Sequence, residues 1–169
     1  CVGYRGSSSG ALVQDPYFKK NISGATKAGI KVGLYFFTQA VNEAEAVEEA
    51  SMAMSLASGY KVTYPIFIDT ESASNGRANG LSKSTRTAVV KAFCQTVRNG
   101  GYKAGVYASK SWYANQLNAS ALNGYCIWVA QYNSSCTYSG KYDMWQYSSK
   151  GSVSGIKGNV DMNISYTGY

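Results

Sequence analysis

Histidine is absent from the 169 residues. That absence removes Ser-His-Asp and Cys-His nucleophilic sites, since both need an imidazole to take the nucleophile's proton. It also removes most catalytic zinc sites, which rely on the same ring. Gly6-Ser7-Ser8-Ser9-Gly10 spells G-x-S-x-G, but without a histidine partner it reads as a flexible turn. No G-x-G-x-x-G follows a strand and there is no Walker loop, so a nucleotide-binding sheet loses ground. No apolar run reaches the roughly 18 residues of a membrane span, and no signal-peptide pattern opens the chain. Acids are scarce: nine against sixteen lysines and arginines, a net charge of +7. Such a surface favours polyanions, among them nucleic acid, acidic lipid and anionic wall polymers. The basic residues are scattered, however, with Lys19-Lys20 the only adjacent pair, and no basic stripe interleaved with aromatics appears. Neither nucleic acid nor membrane is therefore an expected partner. The four cysteines form no C-x-x-C pair, which excludes zinc-ribbon and thioredoxin readings. Cys126 and Cys136 are near enough for a disulfide across a loop, which would suit an extracellular protein; buried free thiols are the alternative.

What is present is one domain's length of alternating strand and helix signals. Asp15-Pro16 starts a helix that runs to Gly29, and 31–37 reads as a buried strand. Asn42 with Glu45 forms a capping box before an alanine-rich helix that ends at Gly59. Residues 65–69 are the next strand, and a polar loop follows from 72 to 80. Ser82 caps a third helix reaching Asn99. Strands at 103–108, 127–130, 142–147 and 159–164 complete the pattern, with a short helix over 109–117. An internal echo runs through it. Gly29-Ile30-Lys31-Val32-Gly33-Leu34-Tyr35 matches Gly101-Tyr102-Lys103-Ala104-Gly105-Val106-Tyr107, with a weaker copy at Gly59-Tyr60-Lys61-Val62. Repeated helix-to-strand junctions predict an α/β fold with a parallel sheet, and a β/α barrel over a doubly wound sheet. Cys1–Arg5 reads as the end of a buried strand, so an upstream segment is expected.

In such barrels chemistry sits at the carboxyl ends of the strands. Glu43, Glu45, Glu48 and Glu49 share one helix and read as a solvated face. Asp15 is explained as a helix cap. Asp69 and Glu71 stand apart: they close the apolar run Ile66-Phe67-Ile68 and, two residues apart, share one side of the strand. Two carboxyls held close in a poorly solvated place cannot both ionise cheaply, so one keeps its proton. A carboxylic acid still protonated near neutrality is what a glycosidase needs to protonate a leaving oxygen. Glu71, with the longer reach, is expected to be the donor and Asp69 its helper. Sugars lie against rings, and Tyr35, Phe37, Tyr107 and Trp128 all fall at expected strand ends, with Tyr132 just beyond one.

These segments, in this order, make the chain resemble the family 25 glycoside hydrolases, the lysozymes of the Chalaropsis and cellosyl type. The resemblance runs from Asp15-Pro16-Tyr17-Phe18 through Ala28–Phe37, Pro65–Glu71, Gly105-Val106-Tyr107 and Ile127–Ala130 to Trp145–Ser148 and Val160-Asp161-Met162-Asn163. It implies an irregular TIM-like (β/α) barrel that hydrolyses the β-1,4 bond between N-acetylmuramic acid and N-acetylglucosamine in peptidoglycan. It implies Asp69, Glu71 and Asp161 as catalytic residues, help from the substrate's own acetamido group, and no metal or cofactor. It further implies a secreted monomer working on wall glycan strands. Two departures accompany it. The family's opening strand, with another active-site aspartate, is not in this chain, and Phe36 stands where many relatives carry histidine. The rival reading is a barrel that grips wall glycans without cutting them.

Overall fold

The computed structural model describes all 169 residues, Cys1–Tyr169. Eight strands form one sheet: β1 (Gly3–Arg5), β2 (Leu12–Gln14), β3 (Val32–Phe37), β4 (Val62–Asp69), β5 (Ala104–Ser109), β6 (Cys126–Ala130), β7 (Met144–Gly151) and β8 (Val160–Ser165). Their spatial order is β2-β1-β3-β4-β5-β6-β7-β8. Neighbours from β1 through β3 to β7 run parallel, while β2 and β8 pair antiparallel at the two edges. The sheet is therefore helix-covered and parallel at its centre, as the junctions imply, but it does not close on itself: β2 and β8 remain its edges. β1 pairs with the far end of β3, at Phe36 and Phe37.

The helices are α1 (Phe18–Lys27), α2 (Glu43–Ala57), α3 (Lys83–Asn99) and α4 (Lys110–Asn115), with a 3-10 turn at Ala119–Leu122. Their starts are set by side chains written into the sequence. Asn42 accepts from the Glu45 amide at 2.9 Å, and Ser82 from the Thr85 amide at 3.1 Å. Each satisfies an amide the helix itself leaves orphaned. Asp15 works differently from the expected cap. Its carboxylate accepts from the Tyr17 amide in a turn before the helix, and α1 starts at Phe18 without a side-chain cap. The three glycines that open the echo, Gly29, Gly59 and Gly101, have φ of +73°, +87° and +85°. Each takes the left-handed conformation that ends a helix, which a side chain would strain. The second glycines, Gly33 and Gly105, serve another purpose. A Cβ at Gly33 would lie 2.7 Å from Tyr64 Cβ, and one at Gly105 would run into the Phe67 ring. Both make room for aromatic side chains of β4.

Alternation along the strands separates two environments. Leu34, Phe36, Ile66, Ile68, Val106, Ile127 and Val129 are buried against the helices. Burying each is worth about 1.5–3 kcal/mol. A one-residue slip would turn that set outward, so the core fixes the register. The same register turns Tyr35, Phe67, Asp69, Tyr107 and Trp128 to the inner face. Phe36 is fully buried on the helix side and makes no contribution to that inner face.

The acidic stretch of α2 is a solvated face only in part: Glu43 and Glu48 are exposed, while Glu45 is half-buried and Glu49 buried. Arg5, 4% exposed, donates from Nε to Glu49 at 2.9 Å and from Nη2 to Glu48 at 2.9 Å. Glu49 is fully buried, and burial pushes its carboxyl up while Thr38 and Arg5 pull it back. Arg77 holds Glu45 through two hydrogen bonds of 2.7 and 3.0 Å. Removing one partner of a buried pair leaves a charge uncompensated, at a cost of about 3–5 kcal/mol. Arg5→Met is expected to cost that much in denaturant unfolding, and Arg5→Met with Glu49→Met to recover most of it. All four cysteines are free thiols. Cys126 opens β6 beside Tyr169, while Cys136 lies beyond the other end of that strand, so the short sequence separation does not bring them together.

Candidate active site

A cleft of about 130 Å³ opens on the inner face at the carboxyl ends of the strands, lined by Tyr35, Asp69, Glu71, Tyr107, Trp128, Gln146 and Asp161. Six strands converge to build it. β3 brings Tyr35, β4 and the loop after it Asp69 and Glu71, β5 Tyr107, β6 Trp128, and the β7–β8 pair Gln146 and Asp161. The backbone ladder continues past the strand ends and anchors the rim: Thr38 N–H donates to the Asp69 carbonyl, Thr70 N–H to that of Tyr107, and Gln131 N–H to that of Gln146.

The two carboxyls of β4's end occupy unequal environments. Asp69 is 6% exposed, and one of its oxygens is buried without a partner. Glu71 lies at the open rim. Burial first, then the neighbouring Glu71, pushes the Asp69 carboxyl well above the usual range. Burial raises Glu71 as well and Asp161 adds to the rise, while a hydrogen bond from Asp69 opposes it. The pair thus holds one proton to higher pH than either carboxyl would alone. In the open cleft the deeper burial puts that proton on Asp69, shared toward Glu71. Side-chain reach alone, by contrast, favours Glu71 as the donor.

The rings are held in place. Trp128 packs edge-on against Tyr107, with centroids 4.7 Å apart, and against Phe67 at 5.1 Å. Its indole N–H donates to Asn163 Oδ1 at 2.9 Å. Gln146 Oε1 accepts from both Tyr107 Oη at 2.7 Å and Tyr132 Oη at 2.9 Å. Tyr132 stands over an adjoining hollow lined also by Glu71, Tyr107 and Gln131, so a ligand longer than one ring has a second place to lie. Below the cleft, and joined to it through Tyr35 and Trp128, is an apolar cavity of about 450 Å³. Of the side chains singled out by sequence, Asp69, Glu71, Asp161, Tyr35, Tyr107 and Trp128 line the cleft and Tyr132 flanks it. Phe37 is level with Asp69 in the sheet but does not line the cleft. Asp143 is elsewhere, accepting from the Ile127 amide. Gln146, at an expected strand end, gains a role the sequence did not assign, and Asn163 is an addition: both lie in segments that resemble the family, and their partners are far away in sequence. Gln146→Leu leaves two tyrosine hydroxyls without their acceptor. It is expected to raise KM about fivefold and to lower stability by about 1 kcal/mol, read from steady-state kinetics and thermal melting.

No group of three or more carboxylates or thiols is close enough to hold a metal ion. Fold and cleft together fit a class, the glycoside hydrolases built on a helix-covered parallel sheet with a carboxyl pair at its carboxyl edge. Sequence then gives the family: the profile of glycosyl hydrolases family 25 matches residues 4–156, and the chain belongs to that family. It is 28% identical over 163 residues to the autolytic lysozyme of Clostridium acetobutylicum, an alignment covering 96% of this chain and 48% of the relative. The chain thus spans about half the length of that curated relative. Among solved structures it is similar to the modular autolysin LytC of Streptococcus pneumoniae, with TM-score 0.80 and 26% identity over 96% of this chain and 38% of that one. LytC has also been determined with a synthetic peptidoglycan ligand. A family 25 glycosyl hydrolase of Bacillus anthracis is similar too, with TM-score 0.79 and 26% identity over 98% of this chain and 76% of the other.

Proposed function

We propose that the chain is a muramidase, cutting the β-1,4 bond between N-acetylmuramic acid and N-acetylglucosamine in peptidoglycan outside the cell or in its wall. The observation that carries this reading is the Asp69–Glu71 pair: a buried carboxyl and one at the rim, side by side in a cleft walled by rings. Family membership and the likeness to an autolytic lysozyme support the substrate class.

In the proposed mechanism a sugar ring lies against Trp128 and Tyr107, with its acetamido group toward the buried Asp69. The amide N–H donates to Asp69, which favours the ionised form there. The sugar also covers Glu71 from water, which favours the neutral form there. The shared proton therefore moves from Asp69 to Glu71 as the substrate seats. Glu71 then gives it to the glycosidic oxygen, while the acetamido carbonyl oxygen bonds to the anomeric carbon and the leaving sugar departs with its bonding pair. Water next attacks the anomeric carbon, its proton goes to the Glu71 carboxylate, and the acetamido group is released. Two inversions retain the configuration. Asp161, on the rim, places its carboxyl group beside the positive charge that develops on the sugar.

Clearing of a purified peptidoglycan suspension tests the reading. Wild type is expected to clear it and Glu71→Gln to bind without clearing. If both bind and neither clears, the chain is a wall-binding module and the enzymatic reading falls.

A further inference from the structure

The lysine common to the three echo copies has no part in the cleft. Lys31, Lys61 and Lys103 immediately precede or nearly precede β3, β4 and β5, and Lys141 stands just before β7. At the start of β6 the place is taken by Arg98, from the last turn of α3, which donates to the Gly124 carbonyl. One cation therefore stands at the amino end of each parallel strand from β3 to β7, and all five are exposed. Adjacent strands lie about 4.8 Å apart, so the row follows the sheet edge for roughly 19 Å. Of the nine acids, only Asp143 stands on this edge, already engaged by Lys141 and the Ile127 amide, and Lys31 donates to the Tyr169 carbonyl. Five of the sixteen lysines and arginines thus stand on this edge with one of the nine acids, while Asp69, Glu71 and Asp161 line the cleft at the other. Arg98, Lys103 and Lys141 also border a pocket of about 360 Å³.

We propose that this edge binds a phosphodiester polymer of the cell wall, a polyol phosphate without bases. A row of point charges at near-regular spacing suits a chain of single negative charges, and ammonium groups suit phosphate. The nearest rings argue against nucleic acid. Arg98 covers one face of the Tyr125 ring at 4.3 Å and Lys103 one face of the Tyr169 ring at 4.6 Å, which leaves fewer ring faces for a base to stack on. Lys103 is four residues before Tyr107 on the same strand, about 13 Å from the level of the cleft. A polymer held there leaves the cleft free for glycan. The choice of a wall polymer, though not the basic row itself, rests on the peptidoglycan reading.

The test uses the full chain, poly(glycerol phosphate), a single-stranded oligonucleotide of equal charge, and walls before and after chemical removal of their phosphate polymer. Lys61→Glu with Lys103→Glu is expected to weaken poly(glycerol phosphate) binding about tenfold or more and to flatten its salt dependence by about two phosphate contacts. Lys61→Gln with Lys103→Gln should show the same in smaller degree. Lys19→Glu with Lys20→Glu, the same charge change on α1, should leave binding near wild type. Wild type should bind the oligonucleotide more weakly than the polyol phosphate, and retain less on stripped walls. Equal losses in the two Glu pairs, or an oligonucleotide bound as tightly, overturn the proposal. Clearing of stripped walls should be the same in wild type and both pairs. Failure of wild type to clear them overturns the peptidoglycan reading instead, and leaves the binding result standing.

Discussion

Glu71→Gln is expected to lower kcat on peptidoglycan by about 10²–10⁴-fold, the usual contribution of a positioned general acid. Glutamine preserves the size of the side chain and its place at the rim, but its amide has no proton to give a leaving oxygen. The loss should depend on the leaving group. An aryl glycoside, whose phenol departs readily without a proton, should lose much less than wall glycan does, while a purely structural defect would lower both alike. Glu71 is exposed, so its replacement should change stability by less than about 0.5 kcal/mol. In wild type the reaction needs one proton on two carboxyls, which gives a bell-shaped pH profile belonging to the pair. Burial and Asp161 raise the Glu71 carboxyl, so the alkaline limb should lie above its ordinary value of 4.5.

Asp69→Asn is expected to reduce activity by about 10²-fold or more and yet to stabilise the fold. Asparagine cannot take up the negative charge that favours the acetamido group as it attacks, and it cannot pass a proton to Glu71. Its stabilising effect comes from burial. The Asp69 carboxyl is raised well above its ordinary value of 3.8, so the folded chain binds that proton more tightly than the unfolded one. As pH rises through the window between the two values, the unfolded chain releases its proton first and stability falls. The fall is complete once pH passes the folded-state value. Each unit of separation corresponds to about 1.4 kcal/mol. The asparagine variant has no such titration. Its advantage in melting temperature should be absent below pH 3.8, grow with pH, and then level off. A variant that is less active and more stable is the expected signature of a carboxyl kept where its charge is costly. Equal melting of the two proteins across that range would contradict the burial argument.

Local chemistry made most of the fold legible. Asn42, Ser82 and the left-handed glycines act within a few residues of themselves, and those helix ends fall where the sequence puts them. The parallel sheet followed from the echo, because a helix-ending glycine leading into an apolar run is a junction that only a few folds repeat. What escaped depended on distant partners. β2 is three residues long, without an apolar rhythm, and exists because the 6–10 turn folds it back on β1. Glu49 looked solvated because its partner, Arg5, is 44 residues away. Gln146 showed no sign of holding two tyrosines, 39 and 14 residues earlier in the chain. The carboxylate pair itself was legible, since alternation in a strand puts residues two apart on one face. Which of them is buried more deeply was not, because that depends on the strands on either side.

The most direct test is to identify the sugar at the new reducing ends. Peptidoglycan digested by wild type is reduced with borohydride and hydrolysed, and its amino-sugar alcohols are separated. The account predicts muramitol in the wild-type digest and none above background with Glu71→Gln. Glucosaminitol in its place, or muramitol released equally by the variant, would contradict it.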